Sequence, residues 1–410
     1  MSLTVRILIA LVAGLACGIA LAEWGGGWGT DIVAASQPIG KAWLNGLQMP
    51  LIPLIFTLLV TGIAQAATTA RSNGMAGRTI GLFAALLLGS AAVTALAGPL
   101  MLHLWPVPAG AIGAVTGASH VAEVPDVRPS AEWLLGFIPV NPFKSAADGQ
   151  VVAVVLFALI FGFAVTRIAE ARRAQITDLF QGLADALLVM VNWVLWLAPI
   201  GVFALALVAG ARSGLATAGA LLHYIGFIVL LCLLVTLLVY PIVVILGRIA
   251  PGRFARAAFP VQAIAFSTQS SIASLPAMIQ ASDGPLAVRE TTRSIVLPLA
   301  ISLFRITSPA ANLGVALYVA AMNGVTIGPT QLVMGVVVAA IVNLAAVGLP
   351  GQITFFTTTG PICLAMGVPV EALPLLLAVE TVPDIFRTVG NVTADMAAAR
   401  IIDQGSGDGA

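Results

Sequence analysis

Five polar side chains interrupt an otherwise apolar stretch near the end of the chain: Glu380, Asp384, Arg387, Asn391 and Asp395. Their spacings of 4, 3, 4 and 4 residues place all five within an arc of about 80° on one helix face, at about 100° per residue. The segment 372–402 is long enough to cross a bilayer, and Leu375, Leu376, Leu377, Ile385 and Phe386 cover its other faces. Charge at membrane depth is costly unless it pairs, faces a wet cavity or binds something, so such a stripe marks a functional site. An acid, a base, an amide and two further acids describe a pocket for a zwitterion with a cation nearby. Pro383 inside this helix bends it and frees a carbonyl.

The rest of the chain is built to carry that stripe through lipid. Its 410 residues are 60% hydrophobic and only 9% charged, against about 25% charged in a soluble domain. The mean hydropathy is +1.05, and together these values describe a polytopic membrane protein. A net charge of +1 says nothing useful about nucleic acid, and with no basic run to support it no nucleic-acid partner is expected. Cys17, Cys232 and Cys363 lie far apart in apolar runs and read as small core residues. His103, His120 and His223 lack metal-ligand spacing, so neither a zinc enzyme nor a cofactor is expected. Ser270 or Ser271 could serve an intramembrane hydrolase as nucleophile, but no base at a suitable spacing accompanies them.

Arg6, the run 7–21 and Ala20-Leu21-Ala22 imitate a secretory signal, and the reading adopted is a first membrane helix. Charge-free runs at 43–66, 79–103, 151–168, 184–210 and 220–247 predict further spans, and 293–322 another. Residues 253–282 are broken by Ser267-Thr268-Gln269-Ser270-Ser271 and Pro276, and 331–368 by Val347-Gly348-Leu349-Pro350-Gly351. Two interrupted segments, each ahead of a spanning helix, predict re-entrant hairpins in an inverted repeat. The expected fold is all-α, with eight transmembrane helices and two re-entrant helical hairpins.

With both termini inside, twelve of the eighteen basic residues fall on the cytoplasmic side. Lys41, Arg128, Lys144 and Arg212 fall outside, and Arg305 and Arg387 remain in the membrane. That asymmetry obeys the positive-inside rule and would invert if either hairpin crossed as a full span. Residues 105–150 form one long external loop, and 403–410 a disordered tail.

On these residues the chain resembles the dicarboxylate/amino acid:cation symporter family, the glutamate-transporter fold. The resemblance covers the chain from the first helix to Ile402. It rests on Asn141-Pro142-Phe143, on Ala265-Phe266-Ser267-Thr268-Gln269-Ser270-Ser271, and on Val296-Leu297-Pro298-Leu299. Gly348-Leu349-Pro350-Gly351 and the stretch from Asp384-Ile385-Phe386-Arg387 to Val392-Thr393-Ala394-Asp395 complete it. The resemblance implies a homotrimer in which a transport domain moves like an elevator against a scaffold. Residues 1–248 would hold spans 1–6, mainly scaffold with span 3 in the moving part, and 249–402 the transport core. It also implies residue roles. Asp384 would hold a substrate amino group, Arg387 a side-chain carboxylate and Asn391 the main carboxylate. Thr388 and Ser308 would add hydroxyls, with Ser270, Ser271 and Leu349 at the hairpin tips.

The departures carry as much information. Where the family reads Asn-Met-Asp-Gly-Thr, this chain has Phe304, Arg305, Ile306, Thr307 and Ser308. Two sodium-binding side chains thereby become apolar, and a third group on span 3 aligns with Leu86, Gly89 and Ser90. A hard cation needs several oxygen ligands, so that sodium site is expected to be lost. Arg305 sets a permanent charge where a mobile one would bind, while Asp395 keeps the place of a ligand in another sodium site. Blander readings exist: Asp384–Arg387 as a structural pair, Arg305 snorkelling, Asp395 bonded to backbone, and Ser270 and Ser271 stabilising a turn. Glu380 reads as support for Arg387 or as a proton carrier.

The expectation is an alternating-access transporter for an acidic amino acid such as aspartate or glutamate. Protons are the expected coupling ion, with sodium weak or absent. It is expected in a prokaryotic inner membrane, among lipid. A plain C4-dicarboxylate carrier and a carrier of neutral or sulfur-containing amino acids such as cystine are alternatives within the class. An anion channel lined by Arg305 and Arg387 is the alternative outside it.

Overall fold

The computed structural model describes residues 3–72, 74–108, 138–345 and 351–405. They form seventeen helices and, among the described residues, no strand. Six stretches are long and apolar enough to cross a membrane: Val5–Trp24, Gly26–Gln65, Gly74–Leu104, Glu170–Trp196, Leu215–Leu246 and Glu290–Met322.

The first half contains α1 (Leu3–Trp24), α2 (Gly26–Gln48), α3 (Leu51–Ser72) and α4 (Gly74–Leu104). Residues 109–137 of the expected external loop lie outside the described residues; beyond them come α5 (Pro142–Ala147), a helix within the span expected as loop, α6 (Val151–Val165), α7 (Glu170–Trp196) and α8 (Ala198–Ser213). Helix α9 (Leu215–Leu246) ends this half. Helices α1 and α8 make the closest approach, with Gly14 and Gly18 set against the Phe203 and Leu207 carbonyls, where a Cβ would collide. Such a small-residue face lets two backbones meet when lipid supplies no hydrophobic drive. The expected run 184–210 is in fact two helices, because Pro199 enters α8 at its second position and cannot continue the bonding of α7 across Leu197. The expected span 43–66 likewise belongs to a longer stretch, interrupted at Met49 and Pro50.

The second half gathers around α4 and α9. Helices α10 (Pro251–Thr268) and α11 (Ser271–Asp283) pack against each other. Between them Gln269 is left-handed (φ 52°, ψ 32°), and Ser270 caps α11 by accepting from Ala273 N at 3.2 Å. At 13 residues, α11 reaches about 20 Å, short of a bilayer core of about 30 Å. Helix α12 (Glu290–Leu303) and α13 (Thr307–Met322) follow, then the packed pair α14 (Pro329–Ala345) and α15 (Gly351–Ala365). The tip joining that pair, with Gly348, Leu349 and Pro350, lies outside the described residues.

The chain ends in α16 (Leu373–Val379) and α17 (Thr381–Gly405). Helix α17 continues through Asp403 to Gly405, past the expected end at 402, because Asp403 is anchored. Its Oδ1 accepts from Thr292 Oγ1 at 2.7 Å and Arg289 Nε at 2.9 Å. Residues 406–410 of the expected tail lie outside the described residues.

Candidate functional site

Two interruptions bring the site together. Helix α12 ends at Leu303 and α13 begins at Thr307, leaving Phe304 extended (φ −111°, ψ 107°). Pro309 is the third residue of α13, so it offers no N–H to the Arg305 carbonyl, which accepts from Ser308 N at 2.9 Å instead. Helix α16 meets α17 at Glu380, and Pro383 is again the third residue of the following helix. The expected continuous helices over 293–322 and 372–402 are therefore each divided, and for the same reason.

Helix α17 lies against α9, α10 and α12. Gly390 lets it approach α9 and α13 at once, since a Cβ there would meet Thr236 Oγ1 and Thr307 Cγ2. This contact presents the stripe to the α13 break. Arg387, 5% exposed, pairs through Nη2 with Glu380 Oε1. The other Glu380 oxygen accepts from Tyr224 Oη, on α9, at 2.5 Å. The Arg387 Nε–H is buried and, among the described residues, has no hydrogen-bond partner. The structural pair of Arg387 is thus Glu380 and not Asp384.

Asn391 is held by Thr307. Its Oδ1 accepts from Thr307 N at 3.1 Å and lies 2.7 Å from Thr307 Oγ1, which also lies 2.8 Å from the Arg387 carbonyl. Fixing the oxygen leaves the two amide N–H donors of Asn391 without partners among the described residues. Asp384 is half-buried and has no hydrogen bond or close ion pair from its carboxylate among the described residues. Arg387 and Arg305 are the cations in Coulombic reach of it. Thr388 turns its hydroxyl back onto the Asp384 carbonyl at 2.8 Å. Ser308 is buried and its hydroxyl makes no hydrogen bond among the described residues. Ser270 serves as the helix cap, and Ser271 opens α11, both half-buried. Phe266 on α10 meets Phe386 on α17 edge to face at 6.2 Å, tying the first helix pair to the stripe.

Arg305 projects from the other interruption. Its guanidinium forms no hydrogen bond or close ion pair among the described residues, yet Asp384 and Asp395 both lie in its Coulombic reach. Asp395 is fully buried and, among the described residues, neither carboxylate oxygen has a hydrogen-bond partner. Its expected backbone hydrogen bonds are absent among the described residues, and Arg305 is the charge that reaches it.

The lost oxygen ligands have been replaced by carbon. Phe304 stacks on Phe83 of α4, with centroids 4.4 Å apart and planes 3° from parallel. Ile306 is buried, and its carbonyl accepts from Ser90 Oγ at 2.5 Å. Leu86 packs into the same apolar cluster. At this break Ser90 donates to the Ile306 carbonyl, the Phe83 and Phe304 rings lie face to face, and the side chains at 304 and 306 offer no oxygen. Among the described residues no three His, Cys, Asp or Glu side chains gather as metal ligands.

Tyr224, Thr307 and Phe83 escape a reading of the sequence. Tyr224 carries a faint signal as a hydroxyl within an apolar span, and Thr307 by adjoining the break. Nothing in the order of residues couples Phe83 to Phe304.

The profile of the sodium:dicarboxylate symporter family matches residues 3–404. The chain is 25% identical to the proton/sodium-glutamate symport protein of Bacillus subtilis, over 99% of this chain and 93% of the relative. It is 24% identical to C4-dicarboxylate transport protein 1 of Pseudomonas aeruginosa, over 97% and 88%. To the proton/glutamate-aspartate symporter of Escherichia coli it is 23% identical, over 98% and 92%. With its match running nearly from end to end, the chain belongs to the sodium:dicarboxylate symporter family, integral membrane transporters and not enzymes.

Proposed function

We propose that this protein carries an acidic amino acid such as aspartate or glutamate by proton symport, with sodium coupling weak or absent. One observation carries the reading: α17 presents an acceptor and two sets of donors that are left free within a buried wall. Among the described residues the Asp384 carboxylate has no close partner, the Arg387 Nε–H has none, and the Asn391 amide donors have none. An ammonium for the first and carboxylates for the other two satisfy all three. Thr388, Ser308, Ser270, Ser271 and the hairpin residue Leu349 complete the pocket in this reading.

The coupling reading rests on the α13 break. Two guanidiniums, Arg305 and Arg387, face the carboxylates of Glu380, Asp384 and Asp395, so the site has a formal charge of −1 with all of them ionised. A proton on one carboxylate neutralises it. Arg305 stays charged and cannot itself carry the proton. Asp395, oxygen-rich and unpartnered, is the remaining place for sodium. Movement follows the family pattern: eight spans and two re-entrant hairpins, a homotrimer with both termini cytoplasmic, and an elevator in which 249–402 and span 3 travel against the scaffold. The close packing of α4 on α13 and α14 supports grouping span 3 with the core.

A C4-dicarboxylate substrate is the second reading, favoured by the name of the Pseudomonas relative. Purified protein in liposomes distinguishes the two. Aspartate or glutamate should accumulate under an inward proton gradient with choline in place of sodium. Preference for succinate overturns the amino-acid assignment, and uptake driven by sodium alone overturns the coupling.

A further inference from the structure

His223 stands apart from the stripe on α17. It lies on α9, 5% exposed, where α9, α13 and the end of α4 meet. Both ring nitrogens are engaged. Nδ1 lies 3.2 Å from Tyr318 Oη, and Nε2 lies 3.2 Å from the Trp105 carbonyl oxygen. The Trp105 indole, itself 42% exposed, is tilted against the imidazole with centroids 4.1 Å apart.

The proton count follows from the partners. Tyr318 Oη donates its single proton to the Ala220 carbonyl at 2.6 Å, so toward His223 it is an acceptor. The Trp105 carbonyl can only accept. Two acceptors facing the two nitrogens are satisfied together by an imidazolium, which carries N–H on both. A neutral ring leaves one of them unmet, or draws the Tyr318 hydroxyl off Ala220 and onto Nδ1. The state of the imidazole therefore sets which way a buried hydroxyl points and whether α4 is fastened.

The surroundings leave this choice to the proton alone. Tyr318 comes from α13, Trp105 from the end of α4 and Tyr224 from α9 itself. Among the described residues α8, α10, α16 and α17, the other helices packed on α9, bring no ionised group into Coulombic reach of the ring. The nearest charge is relayed: Tyr224 packs edge to face on Tyr318 at 5.3 Å and donates to Glu380.

We propose that His223 is a proton-operated latch. As imidazolium it clasps the Trp105 end of α4 and Tyr318 of α13 onto α9, beside the Tyr224–Glu380–Arg387 chain. Losing the proton opens the clasp. The latch rests on the transporter reading only for its effect on uptake, so its test begins with a measurement independent of transport. Thermal unfolding of the purified full-length protein is followed from about pH 5 to about pH 8, spanning imidazole titration. The native protein should outlast His223→Gln at the acid end, with the two converging as the proton leaves. Tyr318→Phe keeps the ring and removes one acceptor. It should move the native transition about one pH unit toward acid, tenfold in proton affinity, the worth of one hydrogen bond to a charged group. Should His223→Gln not fold, that displacement decides alone.

Uptake in liposomes over the same range, under one fixed proton gradient, should change several-fold more for the native protein than for His223→Gln. Parallel unfolding curves for native and His223→Gln, or an unmoved transition in Tyr318→Phe, overturn the latch. Divergent unfolding with parallel uptake profiles overturns its part in transport. An inert native protein overturns the transporter reading and leaves the unfolding curves to decide the latch.

Discussion

The two interruptions in the second half of the molecule share a construction and differ in content. Each precedes a helix whose third residue is proline, Pro309 in α13 and Pro383 in α17. At α17 the polar residues are retained, oriented and partly free: Glu380 and Tyr224 hold Arg387, and Thr307 holds Asn391. At α13 apolar side chains flank Arg305: Phe304 stacks on Phe83 and Ile306 is buried, while Thr307 turns to Asn391. Proline fixes where the backbone is interrupted, but the flanking side chains decide what that place can offer. On the proposed reading one region would be a pocket for an organic anion and the other a socket filled against sodium.

The largest effect should come from emptying the pocket. Arg387→Ala removes the buried donor for a second carboxylate, at a cost of about 2–5 kcal/mol. Aspartate or glutamate affinity in liposomes should fall at least tenfold, and an unchanged affinity removes Arg387 from the site. Asp384→Asn should come next, and selectively. It deprives an ammonium of its partner, so amino acids should lose about tenfold more than succinate. Equal losses would make Asp384 structural.

Arg305→Met sharpens the comparison from the other side. The filled socket loses its charge while Phe304 and Ile306 still offer no oxygen. Proton-driven accumulation should drop several-fold without strong sodium dependence appearing, read as uptake under each gradient in turn. Strong sodium coupling in this variant would show that the aromatic stack does not close the site.

Thr307→Val spans both regions, removing the hydroxyl but leaving the backbone N–H on Asn391. The expected loss is about 1 kcal/mol, or about fivefold in affinity, and no loss would mean that the amide orients itself. The smallest effect lies at the end of α17, away from both. Burial pushes the Asp403 carboxyl up, but hydrogen bonds from Arg289 and Thr292 outweigh it and hold the group below its usual range. A depressed folded value contributes stability above the unfolded value of about 3.9, lost as pH falls through the folded one. Asp403→Asn should therefore cost about 1 kcal/mol at neutral pH, screened by the half-exposed Arg289. The difference in unfolding midpoint should vanish in acid.

Much of the pocket is legible in the sequence because a helix converts spacing into direction. Glu380, Asp384, Arg387, Asn391 and Asp395 share a face by arithmetic alone, and their cost in lipid makes them conspicuous. Phe304 and Ile306 are legible as losses because apolar side chains stand where oxygen is needed. The partners are not legible. Thr307 reaches Asn391 across 84 residues, and Tyr224 reaches Glu380 across 156. Such pairs are set by how α9, α13 and α17 cross, which no local periodicity encodes. The divisions at Pro199 and Pro309 escaped for another reason: both stand in apolar runs, and hydropathy registers length without hydrogen-bond continuity, whereas Pro383 is legible as a bend.

The Glu380–Arg387 pair changes what an affinity means for this protein. On the proposed reading, a diacid would take the Nε–H of a guanidinium whose Nη2 is already paired with a resident carboxylate, so its affinity would be set against that pair. Glu380 sits at the joint between α16 and α17, and Tyr224 of α9 is bound to it. Any weakening of the pair on capture would then reach three helices through one residue. A spectroscopic label on α16 would register it as motion even where the ligand itself is invisible.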